Sequence, residues 1–112
     1  MRESLELEFL NKLSEAYTNY DASIVEDYLA EDVHYVSFWV LQELTSKAEY
    51  LAYLKGKLET MKFSNATFEF KIVSWKQHRN ALLVGNDECG FVVDFNDDDK
   101  VAMINITVPA FF

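Results

Sequence analysis

The sequence predicts an α+β domain in which helices precede a mostly antiparallel sheet and cover one of its faces, and three observations carry that prediction. Apolar residues recur at three and four up to about residue 62, then switch to alternation. A nine-residue stretch at 33–41, VHYVSFWVL, is apolar on both of its alternating faces. A capping box, Ser46 with Glu49, opens a third helix just after it. Helices followed by a run of strands segregate to one side of a sheet.

The elements follow in order. At 4–20, Phe9, Leu10, Leu13, Ala16, Tyr17 and Tyr20 form an apolar stripe, with Glu6, Glu8, Lys12 and Glu15 elsewhere. Asp21 or Ser23 can cap a second, short helix whose buried side is Ile24, Val25, Tyr28 and Leu29. It is expected to end at 27–30, followed by an acidic corner at Glu31 and Asp32.

Strand 33–41 then sets Val33, Tyr35, Ser37, Trp39 and Leu41 on one face and His34, Val36, Phe38 and Val40 on the other. A strand with no polar face needs cover on both sides. Helices supply one cover, and a second copy of the chain supplies the other most simply, through His34, Val36 and Phe38. Leu51, Leu54, Leu58 and Met61 mark the third helix, with Tyr50 widening the stripe and Lys47, Lys55, Lys57, Glu59 and Lys62 mostly off it. Gly56 within it signals close approach to the sheet or a tolerated wet position. Alternation then predicts strands at 66–75, 81–85, 89–95 and 100–108, separated by turns and ended by Pro109. The order is α-α-β-α-β-β-β-β, with three N-terminal helices.

At 112 residues the chain is a single domain, 1–112. Ten basic residues against 19 acidic ones give a net charge of −9. That balance excludes nucleic acid and anionic membrane as partners, since both require a basic face. The acidic surface serves solubility, or meets a basic partner. Cys89 is the single cysteine, the first residues form no apolar signal core, and no run reaches a membrane span, so a cytoplasmic location is expected.

Sites with chemistry are sparse. His34 and His78 lie on separate elements, both remote in sequence from Cys89, and three glycines make no phosphate loop, so no metal and no cofactor is expected. Asp94, Asn96 and Asp98 imitate the start of a calcium loop. Asp99 stands where that loop needs glycine, and Asn105 where it needs glutamate, so the segment reads as a hairpin turn. Asp87 and Glu88, beside Cys89, are carboxylates that burial could turn into an acid or base. Tyr17, Tyr35, Ser37 and Trp39 offer aromatic walls with a few polar tips, the composition of a ligand site.

In its first helix with Tyr17, the segments DASIVEDYLAED (21–32) and VHYVSFWVL, the cap at Ser46 and the last hairpin, the chain resembles the nuclear-transport-factor-2-like superfamily, also called SnoaL-like or ketosteroid-isomerase-like. The resemblance implies a cystatin-like cone, in which a strongly curved sheet wraps the helices around an apolar pocket and the outer sheet face forms a homodimer. In isomerase-type members a carboxylate on the first strand removes a proton from carbon, and the matching position here looks like Ser37. A hydroxyl with an ordinary pKa is no such base, so steroid isomerisation is not expected.

The leading expectation is a domain that binds a small, largely apolar ligand without assignable catalysis. Two alternatives remain from the sequence: an acidic protein-binding module of immunity or inhibitor type, and a SnoaL-like isomerase, cyclase or dehydratase using Asp87, Glu88 or His34.

Overall fold

A computed structural model of the protein describes residues 2–37, 43–65, 69–75, 79–84 and 89–107. Trp39, Phe38, His78, Asp87, Glu88 and Pro109 lie outside them, as does the far end of strand 33–41. The elements are α1 (Arg2–Asn19), α2 (Ser23–Glu26), β1 (Leu29–Ser37), α3 (Lys47–Phe63), β2 (Phe70–Trp75), β3 (Arg79–Val84), β4 (Cys89–Phe95) and β5 (Val101–Thr107). The predicted order holds.

α1 buries Phe9, Leu10, Leu13, Ala16 and Tyr17, the stripe read from its spacing. It stops because Tyr20 turns left-handed at φ 54° and the Asp21 amide donates to the Ala16 carbonyl at 2.9 Å, the bond that closes a helix of this type. Ser23 is not the cap expected of it. Asp21 Oδ1 accepts from both the Ser23 amide (3.0 Å) and its hydroxyl (2.6 Å), which folds the chain into α2. Those two bonds, the hydroxyl first, hold the Asp21 carboxyl below its ordinary value.

The stretch 27–30 is not wholly a helix end, and Glu31 and Asp32 form no corner. β1 already begins at Leu29, so both acids lie within the strand, exposed. Pairing decides this: Leu29 aligns with Val101 of β5, and the Val101 amide donates to the Tyr28 carbonyl at 2.7 Å. A partner far along the chain overrides the helical spacing of Ile24, Val25 and Tyr28.

At α3 the Ser46 hydroxyl accepts from the Glu49 amide at 3.1 Å, as the box predicts. The Glu49 carboxylate reaches one residue further back than expected, to the Thr45 amide at 3.0 Å, and this bond is the main reason its pKa is lowered. Gly56 is exposed, and a Cβ there meets nothing within 4 Å. Close approach to the sheet is therefore not what retains it. In the meander, β2 starts at Phe70 and β3 at Arg79, later and earlier than alternation alone placed them. Asn96 confirms the hairpin reading of its segment: its Oδ1 accepts from the amides of Asp98 (2.9 Å) and Lys100 (3.0 Å).

The sheet runs β1-β5-β4-β3-β2, with β1 parallel to β5 and the other pairs antiparallel. It is curved, and its inner face meets the helices: α3 packs on β1 while α1 crosses β2, β3 and β4. Register places Ser37, Ile106, Phe91, Leu82 and Ile72 in one row across all five strands, with Tyr35, Ile104 and Val93 in the row behind. These rows join α1 and α3 in one core. The other face of β1 shows His34 and Val36, both half-buried.

Candidate functional site

Two regions are built on this frame, the aromatic inner face of the sheet and an open surface groove. Inside the cone, β1 alternation aims Tyr35 and Ser37 at the helices, and both are buried. The last full turn of α1 delivers Tyr17, whose ring lies 5.6 Å from that of Phe70 and 5.8 Å from that of Phe91. α3 delivers Tyr50, Tyr53 and Lys57, three and four residues apart and so on one side of the helix. The rings of Tyr50 and Tyr53 each stand 5.1 Å from Tyr35. Lys57 Nζ lies over the Tyr17 ring at 5.7 Å and the Tyr53 ring at 5.9 Å.

The sequence-predicted residues Tyr17, Tyr35 and Ser37 thus come together, although they belong to two elements separated by α2. The position of Trp39 lies outside the described residues. Tyr53 and Lys57 were missed, because a charged residue in a helix reads as a marker of the wet side. The usable signal was spacing: Lys57 stands seven residues after Tyr50, on the same face of the helix.

The polar atoms form a chain. Tyr35 Oη donates to Tyr53 Oη at 3.3 Å, and the Ser37 side chain is a further hydrogen-bond partner of Tyr35. Burial, then the bond to Tyr53, pushes the Tyr35 phenol far above its ordinary range; Ser37 opposes this, as a donor to the phenolate does. Tyr50 is pushed up by burial first and by Tyr35 second. Its hydroxyl is fully buried and has no hydrogen-bond partner among the described residues. These phenols stay protonated at neutral pH, so they hold and orient rather than exchange protons. The described groups that converge here are phenols, one hydroxyl and one ammonium.

The second region lies on the wet side, at the junction of α2, β1 and the β4–β5 turn. It is an open groove of about 660 Å³ lined by Asp27, Glu31, Asp32 and Asp98, with Lys47 and Lys100 among them. Lys47 Nζ is 4.0 Å from Glu31 Oε1, and Lys100 Nζ donates to the Asp27 carbonyl at 2.8 Å.

His34, offered above as a possible catalytic group, has a partner: its Nδ1 lies 3.2 Å from Glu43 Oε1. The pair is about half exposed and sits on the face of β1 opposite Tyr35. Among the described residues, no group of three or more potential metal ligands occurs, and no helix is long and apolar enough to cross a membrane.

No protein-family model matches the sequence, and no curated protein matches it. Solved structures do. A SnoaL-like protein of unknown function from Burkholderia thailandensis superposes with a TM-score of 0.69 at 14% identity, over 95% of each chain. An LEH-like epoxide hydrolase from M. tuberculosis gives 0.63 at 13% identity, over 99% of this chain and 87% of its own. A steroid delta-isomerase from Pseudomonas aeruginosa gives 0.60 at 16% identity, over 95% of this chain and 80% of its own. With helices against the inner face of a curved sheet and neighbours of this kind across its length, the chain has the fold of the nuclear-transport-factor-2-like superfamily.

Proposed function

We propose that this chain binds a small, largely apolar molecule inside the cone, against Tyr17, Tyr35 and Ser37. One observation carries the reading: residues from α1 and β1 converge with Tyr53 and Lys57 on a single aromatic lining with a few polar tips. That is how ligand sites are composed. Trp39 belongs to the same alternating face by sequence. No carboxylate or imidazole is among the described groups converging on this lining, which supports binding over turnover.

Calorimetric titration with a neutral aromatic compound such as 4-phenylbutanamide tests this. Saturable binding is expected, and Ser37→Phe, which adds a ring to the inner row, is expected to abolish it while the circular dichroism spectrum stays native. Failure of the unaltered protein to bind either this amide or the carboxylate of the same shape, or binding indifferent to Ser37→Phe, overturns the assignment.

The outer sheet face, through His34, Val36 and Phe38, is proposed as a homodimer contact. His34 and Val36 are half-buried in the single chain, and Val36 aligns across β5 with Asn105, also half-buried, so these positions keep surface that a second copy can cover. Val36→Asp should convert a dimeric mass in solution to a monomeric one; a monomeric unaltered protein removes the proposal.

A second reading, an acidic module for a basic protein, draws on the carboxylates around the open groove. Salt-sensitive association lost in Asp32→Asn, with no ligand taken up by the cone, would move the function there.

A further inference from the structure

Among the described residues, Lys57 is the cation whose surroundings fit its charge least. It is half-buried, against two aromatic rings, and among the described residues it meets no carboxylate. Lys12 and Lys47 have Glu15 and Glu31, and Lys100 has a backbone carbonyl. Lys55 and Lys62 also meet no acid, but they are exposed, where water solvates them. In a chain with 19 acidic residues, an ammonium kept away from acids on an aromatic lining is placed for a negative charge from outside. Ring faces attract it only modestly, and they leave its N–H donors unused.

The hydroxyl chain points the same way. Tyr35 donates to Tyr53 at 3.3 Å. Tyr53 Oη therefore accepts from behind, and its own proton has no acceptor among the described residues. Donors linked in series polarise one another, so the terminal proton is the stronger donor of the two. That terminal phenol belongs to the same ring over which Lys57 lies, one helical turn away on α3.

We infer that the ligand of the cone carries a carboxylate, held by the Lys57 ammonium and the Tyr53 hydroxyl while its apolar body lies against Tyr17 and Phe91. This rests on the ligand-binding reading above and narrows it to apolar monocarboxylates. An ammonium and a single phenolic donor match the charge and the oxygens of one carboxylate. A low-dielectric aromatic wall strengthens that pairing relative to water.

The experiment is a calorimetric titration of two probes of equal shape, 4-phenylbutanoate and 4-phenylbutanamide, against the unaltered protein, Lys57→Met and Tyr53→Phe at pH 7. The carboxylate is expected to bind about tenfold or more tighter than the amide. Lys57→Met is expected to erase that difference by weakening the carboxylate alone, and Tyr53→Phe to reduce it severalfold. Equal affinities for the two probes, or a Lys57→Met loss shared equally by both, overturn the carboxylate assignment and leave the cone as an apolar site. Failure of both probes to bind the unaltered protein overturns the cone reading itself, and this inference with it. The probe comparison on the unaltered protein stands whether or not either variant folds.

Discussion

The cone interior and the acidic groove place the same residue types in opposite circumstances. In the groove, Lys47 and Lys100 each meet an oxygen of the protein, and four carboxylates face open water. Charge there is abundant, locally balanced and screened. In the cone, a single ammonium sits on tyrosine rings, and the nearby hydroxyls are buried or part-buried. Charge there is scarce and poorly screened. Interaction energy varies inversely with the local dielectric, so one lysine inside the cone acts on a ligand more strongly than two in the groove. Counting charges would favour the groove as the functional region; weighing their surroundings favours the cone.

Substitutions can break or sharpen this contrast. The largest effect is expected from Tyr35→Ala. It removes a fully buried ring that touches Tyr50 and Tyr53 and cuts the hydroxyl chain at its middle, and loss of about 3–5 kcal/mol in urea unfolding is expected. A loss below about 1 kcal/mol would mean that the cone wall is loosely packed and the contrast overdrawn.

A smaller effect of opposite sign is expected from Tyr50→Phe. It deletes a buried hydroxyl that has no partner and keeps the ring, so a gain of about 1 kcal/mol is expected in the same measurement. A clear loss of stability would show that this hydroxyl is satisfied in solution.

The smallest belongs to the groove. Lys47→Met removes one side of a 4.0 Å pair whose carboxylate partner is almost fully exposed, and a change within about 0.5 kcal/mol is expected. A loss above about 2 kcal/mol would show that the groove charges are not screened.

Acid sharpens the contrast from a different side. The pKa of Glu49, which caps α3, is lowered in the fold, so its contribution is present above its ordinary value near 4.5 and fades as pH falls through the depressed one. The phenols of Tyr35 and Tyr50 move upward instead and stay neutral through that range. Glu49→Gln should therefore differ from the unaltered protein in thermal stability at pH 7 and converge with it in acid, once the pH lies below the depressed value. A difference that persists in acid would assign the effect to packing.

The sequence reading succeeded where local pattern and tertiary demand agree. The α1 stripe, the cap at Ser46 and the two faces of β1 each follow from the period of their element, and Tyr35 and Ser37 were legible as inward-facing for that reason. It failed where a distant partner decides. Leu29 continues a helical spacing, but pairing with Val101 makes it strand. Lys57 looked solvated because residue type outweighed its place seven residues beyond Tyr50. Tyr53 became visible only once β1 supplied the hydroxyl opposite it. The cone's polar chain is a property of two elements facing each other, and neither alone contains its pattern.

The parallel alignment of β1 with β5 governs when the aromatic wall comes into being. Tyr35 lies beside Ile104, so the strand carrying it waits for the last strand of the described fold before its final neighbour arrives. Contacts so distant along the chain close slowly. During synthesis by the ribosome, the tyrosines of β1 and α3 emerge well before that strand and remain uncovered in the interval. The nascent chain is therefore most exposed to misassembly, and most in need of chaperone shelter, at the aromatic inner face of β1 and α3.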